Sequence, residues 1–130
     1  MTIPELHRRP LEQLVLSAGE LNLVLEAEAY RGEGERTELY RQVVGYIGKK
    51  QMDGIARAKI YPKAVYYFCL SLLAEKGGEA TERDMEELLQ YCGRAVELLR
   101  DNARMYYLWE LLELEGRINK IMSLQPLVEL

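Results

Sequence analysis

Reaction chemistry in this chain would have to come from Cys69, Cys92, His7 or the acidic pairs Glu86-Glu87 and Glu110/Glu113. A nucleophile works only with a base within hydrogen-bond reach, and a zinc site needs Cys or His ligands at short spacing. Neither condition is met. Cys69 and Cys92 stand 23 residues apart, each without a second Cys or a His at ligand spacing, and the single histidine lies far away at position 7. There is no Gly-x-Ser-x-Gly elbow and no His-Glu-x-x-His pair. Gly32-Glu33-Gly34-Glu35 has the glycines of a phosphate cradle but lacks the Lys-Ser/Thr that would meet phosphates, and its glutamates would repel them. It reads as a turn that ends a helix. The acidic pairs read as solvated helix faces, and the cysteines as small buried apolar side chains. The residues predict no catalytic, cofactor-binding or metal-binding site, and no enzyme.

Contact chemistry is better represented. Nine tyrosines stand against one Phe and one Trp, and Tyr61, Tyr66, Tyr67, Tyr91, Tyr106 and Tyr107 crowd positions 61–107. Neighbours on a helix point about 100° apart, so Tyr66 and Tyr67 cannot both face one core, nor can Tyr106 and Tyr107. One of each pair must turn to a flank or to water. Tyrosine on an exposed groove offers large contact area, little rotamer entropy to lose and a hydroxyl handle. The alternative, which the residues alone favour, is a rim tyrosine that fills space between stacked helices.

The elements that must carry these side chains are helices. Over 84–99 the apolar residues Met85, Leu88, Leu89, Cys92, Ala95, Val96 and Leu99 recur in steps of mostly three or four, one stripe of a helix. Over 105–122, Met105, Leu108, Trp109, Leu112, Ile118, Ile121 and Met122 follow similar spacing. Two such helices on a short link must pack antiparallel or leave both stripes in water. Upstream, helices are expected over about 4–16 (bent or broken by Pro10), 18–31, 37–51 and from Gly54. Leu21, Val24, Leu25 and Ala29 form one inner face, and Leu39, Tyr40, Val43, Val44 and Ile47 the next. Gly45 and Gly48 weaken the 37–51 helix and are expected to let a neighbouring backbone come close.

Helix starts are marked by the capping-box patterns Ser17-Ala18-Gly19-Glu20 and Thr81-Glu82-Arg83-Asp84, and Asp53 is placed to cap the segment at Gly54. Ile60-Tyr61-Pro62 is either a kink or a restart with proline at the first helical position. The residue before proline is pushed out of the helical region, so a restart at Pro62 is expected, with a helix from there to Glu75 and a stop at Gly77-Gly78. No strand alternation and no Asn-Gly or Asp-Gly hairpin turn occurs. The fold class is all-α, in antiparallel helix pairs. A single domain over 1–122 is expected, with a loosely held tail over 123–130 that contains Pro126.

Composition narrows the partners. At 130 residues the chain has room for one core, and 48% hydrophobic with 29% charged residues excludes disorder by composition. A net charge of −4 argues against a whole-surface grip on nucleic acid. Lys49-Lys50 and Arg57, Lys59 and Lys63 are the only local basic candidates, and they read as solvated surface. No stretch approaches the roughly 20 apolar residues that span a bilayer, and the first residues do not form a signal peptide. A cytoplasmic location is expected, and no membrane or direct nucleic-acid contact.

Tyr66, the Gly77 turn, Leu88, Cys92 and Ala95 follow the rhythm of a tetratricopeptide repeat, a helix–turn–helix unit of about 34 residues. An insertion over 78–83, Leu70 and Leu88 at small-residue positions, and the missing proline after the second helix depart from that pattern. Leu16-Ser17-Ala18-Gly19-Glu20-Leu21-Asn22, Tyr40-Arg41-Gln42-Val43-Val44-Gly45-Tyr46-Ile47, Ile60-Tyr61-Pro62-Lys63-Ala64 and Arg104-Met105-Tyr106-Tyr107-Leu108-Trp109-Glu110-Leu111-Leu112 form a longer string. It resembles the carboxy-terminal helical region of Firmicute transcriptional regulators, which join a phage-repressor-type helix-turn-helix domain to tetratricopeptide-like repeats. The resemblance covers about 11–118 and rests on apolar helix positions. It implies a short tetratricopeptide-like right-handed superhelix that acts as a sensor and dimerisation part, some members binding signalling peptides in the concave groove. The basic recognition helix of that family has no counterpart here, so the resemblance implies a detached or truncated effector module without DNA contact of its own. In the repeat register, Tyr67, Ser71, Arg104 and Tyr107 would face the groove.

Two functions follow as expectations. One is a regulatory module that binds a protein or short peptide. The other is a purely structural homodimeric helical domain with no ligand. The last helix carries more apolar residues than one stripe can hide, and Trp109, Ile118, Ile121 and Met122 are the expected self-association face of a homo-oligomer.

Overall fold

The structure, a computed structural model, describes residues 18–29, 36–49, 54–76 and 79–129. These form five helices and no strand: α1 (Ala18–Ala29), α2 (Arg36–Lys49), α3 (Gly54–Lys76), α4 (Glu82–Asp101) and α5 (Leu108–Glu129). The expected helix from Pro4, the Ser17 cap, the Gly32-Glu33-Gly34-Glu35 turn, the Asp53 cap and the Gly77-Gly78 stop lie outside the described residues.

The start of α4 is fixed locally. Thr81 Oγ1 accepts from the Asp84 N–H at 3.1 Å, and the Thr81 N–H donates to Asp84 Oδ2 at 2.9 Å. This reciprocal pair is the capping box, with Asp in the place of the usual Glu. Lys76 Nζ, at the end of α3, donates to the same Asp84 Oδ2 at 3.1 Å and ties the two helices across their turn. Met85, Leu88, Cys92, Ala95, Val96 and Leu99 are buried, as the α4 stripe predicts.

α3 is the hub, in contact with α1, α2, α4 and α5. Every residue from Ile60 to Val65 is buried, Pro62 included. Here the expectation of a restart is corrected: the chain runs through Pro62 as one helix from Gly54 to Lys76. An internal proline costs about 3 kcal/mol. Burial on several faces of a central helix offsets that cost, which an isolated helix could not do.

Cross-helix pairs give the directions. Thr37 meets Ser71 and Tyr40 meets Tyr67, so α2 and α3 are antiparallel. Gly54 lies beside Asn102, Phe68 against Tyr91 and Lys76 against Asp84, so α3 and α4 are antiparallel as well. Arg41 of α2 reaches over the Phe68 ring, 5.2 Å from its centroid, and lies 3.3 Å from Glu87 of α4. Glu87 is therefore more than a solvated helix residue.

Two further expectations change. A Cβ added at Gly45 or Gly48 would meet nothing within 4 Å, so neither glycine serves a close approach of backbone. The last stripe is also re-registered. Ala103 and Tyr107 have φ of 53° and 66°, and α5 begins only at Leu108, which leaves Met105, Tyr106 and Tyr107 in the turn. Among its described side chains the buried ones are Leu111, Leu114 and Ile118. Trp109 precedes Leu111 by two positions, about 200° around the helix, and points away from the core. The α5 backbone stays helical beyond Ser123, to Glu129.

Candidate functional site

A run of tyrosines joins two helices, α2 and α3, and the α4–α5 turn. Tyr40 of α2 and Tyr67 of α3 meet edge to face at 5.8 Å between centroids. Tyr66 packs on Tyr107 at 5.4 Å, and Tyr107 on Tyr106 at 5.5 Å. Tyr67 and Tyr107 also share a side-chain hydrogen bond. Burial and then the neighbouring Tyr67 push the Tyr107 hydroxyl well above its ordinary value, so it stays neutral and available for hydrogen bonding at physiological pH.

Lys63 supplies the charge beneath this cluster. It is buried on α3, and its ammonium donates to Asn22 Oδ1 at 2.6 Å and to Glu26 Oε1, both on α1. The same ammonium lies 5.7 Å from the Tyr67 ring centroid. The ammonium is thus hydrogen-bonded to one amide and one carboxylate and lies near the face of an aromatic ring.

The turn itself is built to present side chains. A bulky residue at positive φ is a strained choice, of order 1–3 kcal/mol, and persists where surrounding contacts hold it. For Tyr107 those contacts are Tyr66, Tyr67 and Tyr106. Arg104 N–H donates to the Leu99 carbonyl at 2.9 Å and Leu108 N–H to that of Met105 at 3.0 Å, which fastens both ends. Met105 (62% exposed), Tyr106 (75%) and Trp109 (68%) are left facing water together.

The expected groove residues divide accordingly. Tyr67 and Tyr107 come together. Ser71 is buried and shares a 2.6 Å hydrogen bond with Thr37, so it is a link between α2 and α3 rather than an open groove position. Arg104 is half-buried in the turn. Of the expected self-association residues, Trp109 and Ile121 are exposed, Met122 is partly buried against the core, and Ile118 is at 0% exposure inside it. Ile118 therefore belongs to the packing of α5 against its own chain. The exposed Glu113, Gly116, Arg117 and Lys120 lie between Trp109 and Ile121 along the outer side of α5, so these two do not form one apolar strip. Sequence reasoning missed Met105, which it placed on the apolar stripe of the last helix, whereas of Tyr106 and Tyr107 it required one to turn outward, and Tyr106 does.

A second concave feature is a cleft of about 280 Å³ lined by Arg57 and Tyr61 of α3, Arg94, Glu97 and Asp101 of α4, and Gly48 at the end of α2. The Arg94 guanidinium donates to the Tyr61 hydroxyl, and burial pushes that hydroxyl up to about 12 despite the nearby positive charge. Two cations and two carboxylates share its walls, so it offers no net charge to a ligand. Among the described residues no group of His, Cys, Asp and Glu could hold a metal ion, and no helix is long and apolar enough to cross a membrane. Comparison with protein-family models, with curated proteins and with solved structures gives no match.

Proposed function

We propose that this chain is a non-catalytic, cytoplasmic regulatory module that binds a protein or short peptide. In this reading its helix pairs stack as a short tetratricopeptide-like superhelix, similar to the sensor part of a Firmicute helix-turn-helix regulator. The observation that carries the reading is the joint exposure of Met105 and Tyr106 in the turn and Trp109 at the start of α5, where the partly buried Tyr66 and Tyr107 hold the turn. Trp, Tyr and Met are the residues enriched where proteins bind one another, and a rigid presenting turn lowers the entropy lost on binding. A partner that covers the three side chains removes apolar area from water at about 25 cal/mol per Å².

The experiment is in-cell photo-crosslinking from a reactive residue at Tyr106, with the exposed Lys120 on the outer side of α5 as control position. Discrete adducts at position 106, absent at 120 and lost on adding Trp109→Ala, support the module, and mass spectrometry names the partner. An adduct to a second copy of this chain points to the structural homodimer. Equal adducts at both positions, or none at either, overturn the reading.

A further inference from the structure

Cys69 and Cys92 sit in the middle of the α3–α4 seam, both at 0% exposure, with their sulfurs 3.8 Å apart and no bond between them. A disulfide needs the sulfurs at about 2.05 Å, so less than 2 Å of movement separates the dithiol from the bridge. The helices are already antiparallel, with the Phe68–Tyr91 contact level with the pair, and they are pinned on one side of it by Lys76–Asp84 and on the other by the hydrogen bond of Arg94 to Tyr61. We propose that Cys69 and Cys92 are a dormant dithiol, shielded while the seam is closed, that becomes a disulfide when α3 and α4 part in the presence of a small-molecule disulfide.

The chemistry is two exchanges. One cysteine, as thiolate, attacks the small disulfide, forming a mixed disulfide and releasing one thiol. The second cysteine attacks the mixed disulfide at the protein sulfur and releases the other thiol. Two protein thiols are oxidised, one external disulfide is reduced to two thiols, and both protons leave with them. In the closed fold the first step is blocked, since no external sulfur reaches either cysteine and the hydrogen bond to Cys92 and burial push the Cys69 thiol up. Opening of the seam is therefore the gate. The second step is fast, because refolding returns the sulfurs to each other's reach. The bridge would tether the helix that carries Tyr66 and Tyr67 to the one that leads into the Met105–Trp109 turn, independently of what that turn binds.

The test incubates the full chain with oxidised glutathione at rising, sub-denaturing urea, and reads intact mass under non-reducing conditions and the melting temperature after urea removal. The expected result is a loss of about 2 Da with no retained adduct. The rate should climb with urea, and the melting temperature should rise on the order of 10 °C. Cys69→Ala and Cys92→Ala should instead each keep one glutathione adduct, with circular dichroism verifying that they fold. A wild-type chain that keeps adducts on its cysteines, that shows no mass change even when urea exposes them, or that melts lower once bridged would overturn the proposal.

Discussion

Tyr61 and Asp84 are held away from their ordinary titration values in opposite directions, and each shift sets a pH range in which the fold weakens. The folded Tyr61 hydroxyl is pushed up to about 12, whereas in the unfolded chain it ionises near 10. Its contribution is complete below 10 and falls away as pH rises from there to about 12. Relative to Tyr61→Phe, urea unfolding of the wild type should lose roughly 2–3 kcal/mol over that window. Asp84 is the reverse case. The Thr81 N–H and Lys76 hold its carboxyl below the usual range, so its stabilisation is present above about 4 and disappears as pH falls through the folded value. Asp84→Asn should cost about 1 kcal/mol at neutral pH, and the gap to wild type should close in acid. The capping box is legible in the sequence because its partners stand three residues apart. Lys63 with Glu26, Tyr66 with Tyr107 and Cys69 with Cys92 are not, since only the packed fold brings them together.

Helix α3 shows how far periodicity carries at the next scale, and where it stops. The α2 and α4 stripes read correctly from spacing alone, because each of those helices buries one face. α3 is surrounded, so no stripe distinguishes its inner side, and proline chemistry wrongly breaks it at Pro62. Pro62→Ala restores one helical hydrogen bond but removes buried ring carbons. The expected balance is a gain of about 1 kcal/mol in chemical denaturation. Gly45→Ala enters open space within α2 and should add about 0.5–1 kcal/mol by the same measurement. α5 is misjudged for a third reason. The positive φ at Ala103 and Tyr107 delays its start, and that turn conformation is not encoded by any glycine.

For the molecule as a whole, the all-helical class and much of the core follow from apolar spacing, while the contact surface does not. Trp109 and Ile118 look equivalent in a list of apolar residues, yet one faces water and the other the centre of the core. What separates them is the rotation of α5 against α4, which depends on a strained turn rather than on composition. Trp109 is the single tryptophan of the chain, so its emission reports on the proposed docking surface without any label. The most direct measurement is tryptophan fluorescence with acrylamide quenching across a dilution series of the purified protein. Red-shifted, readily quenched emission at every concentration is the expected result. Blue-shifted emission protected from quencher even in dilute solution would mean that this face is already covered, and would contradict the account.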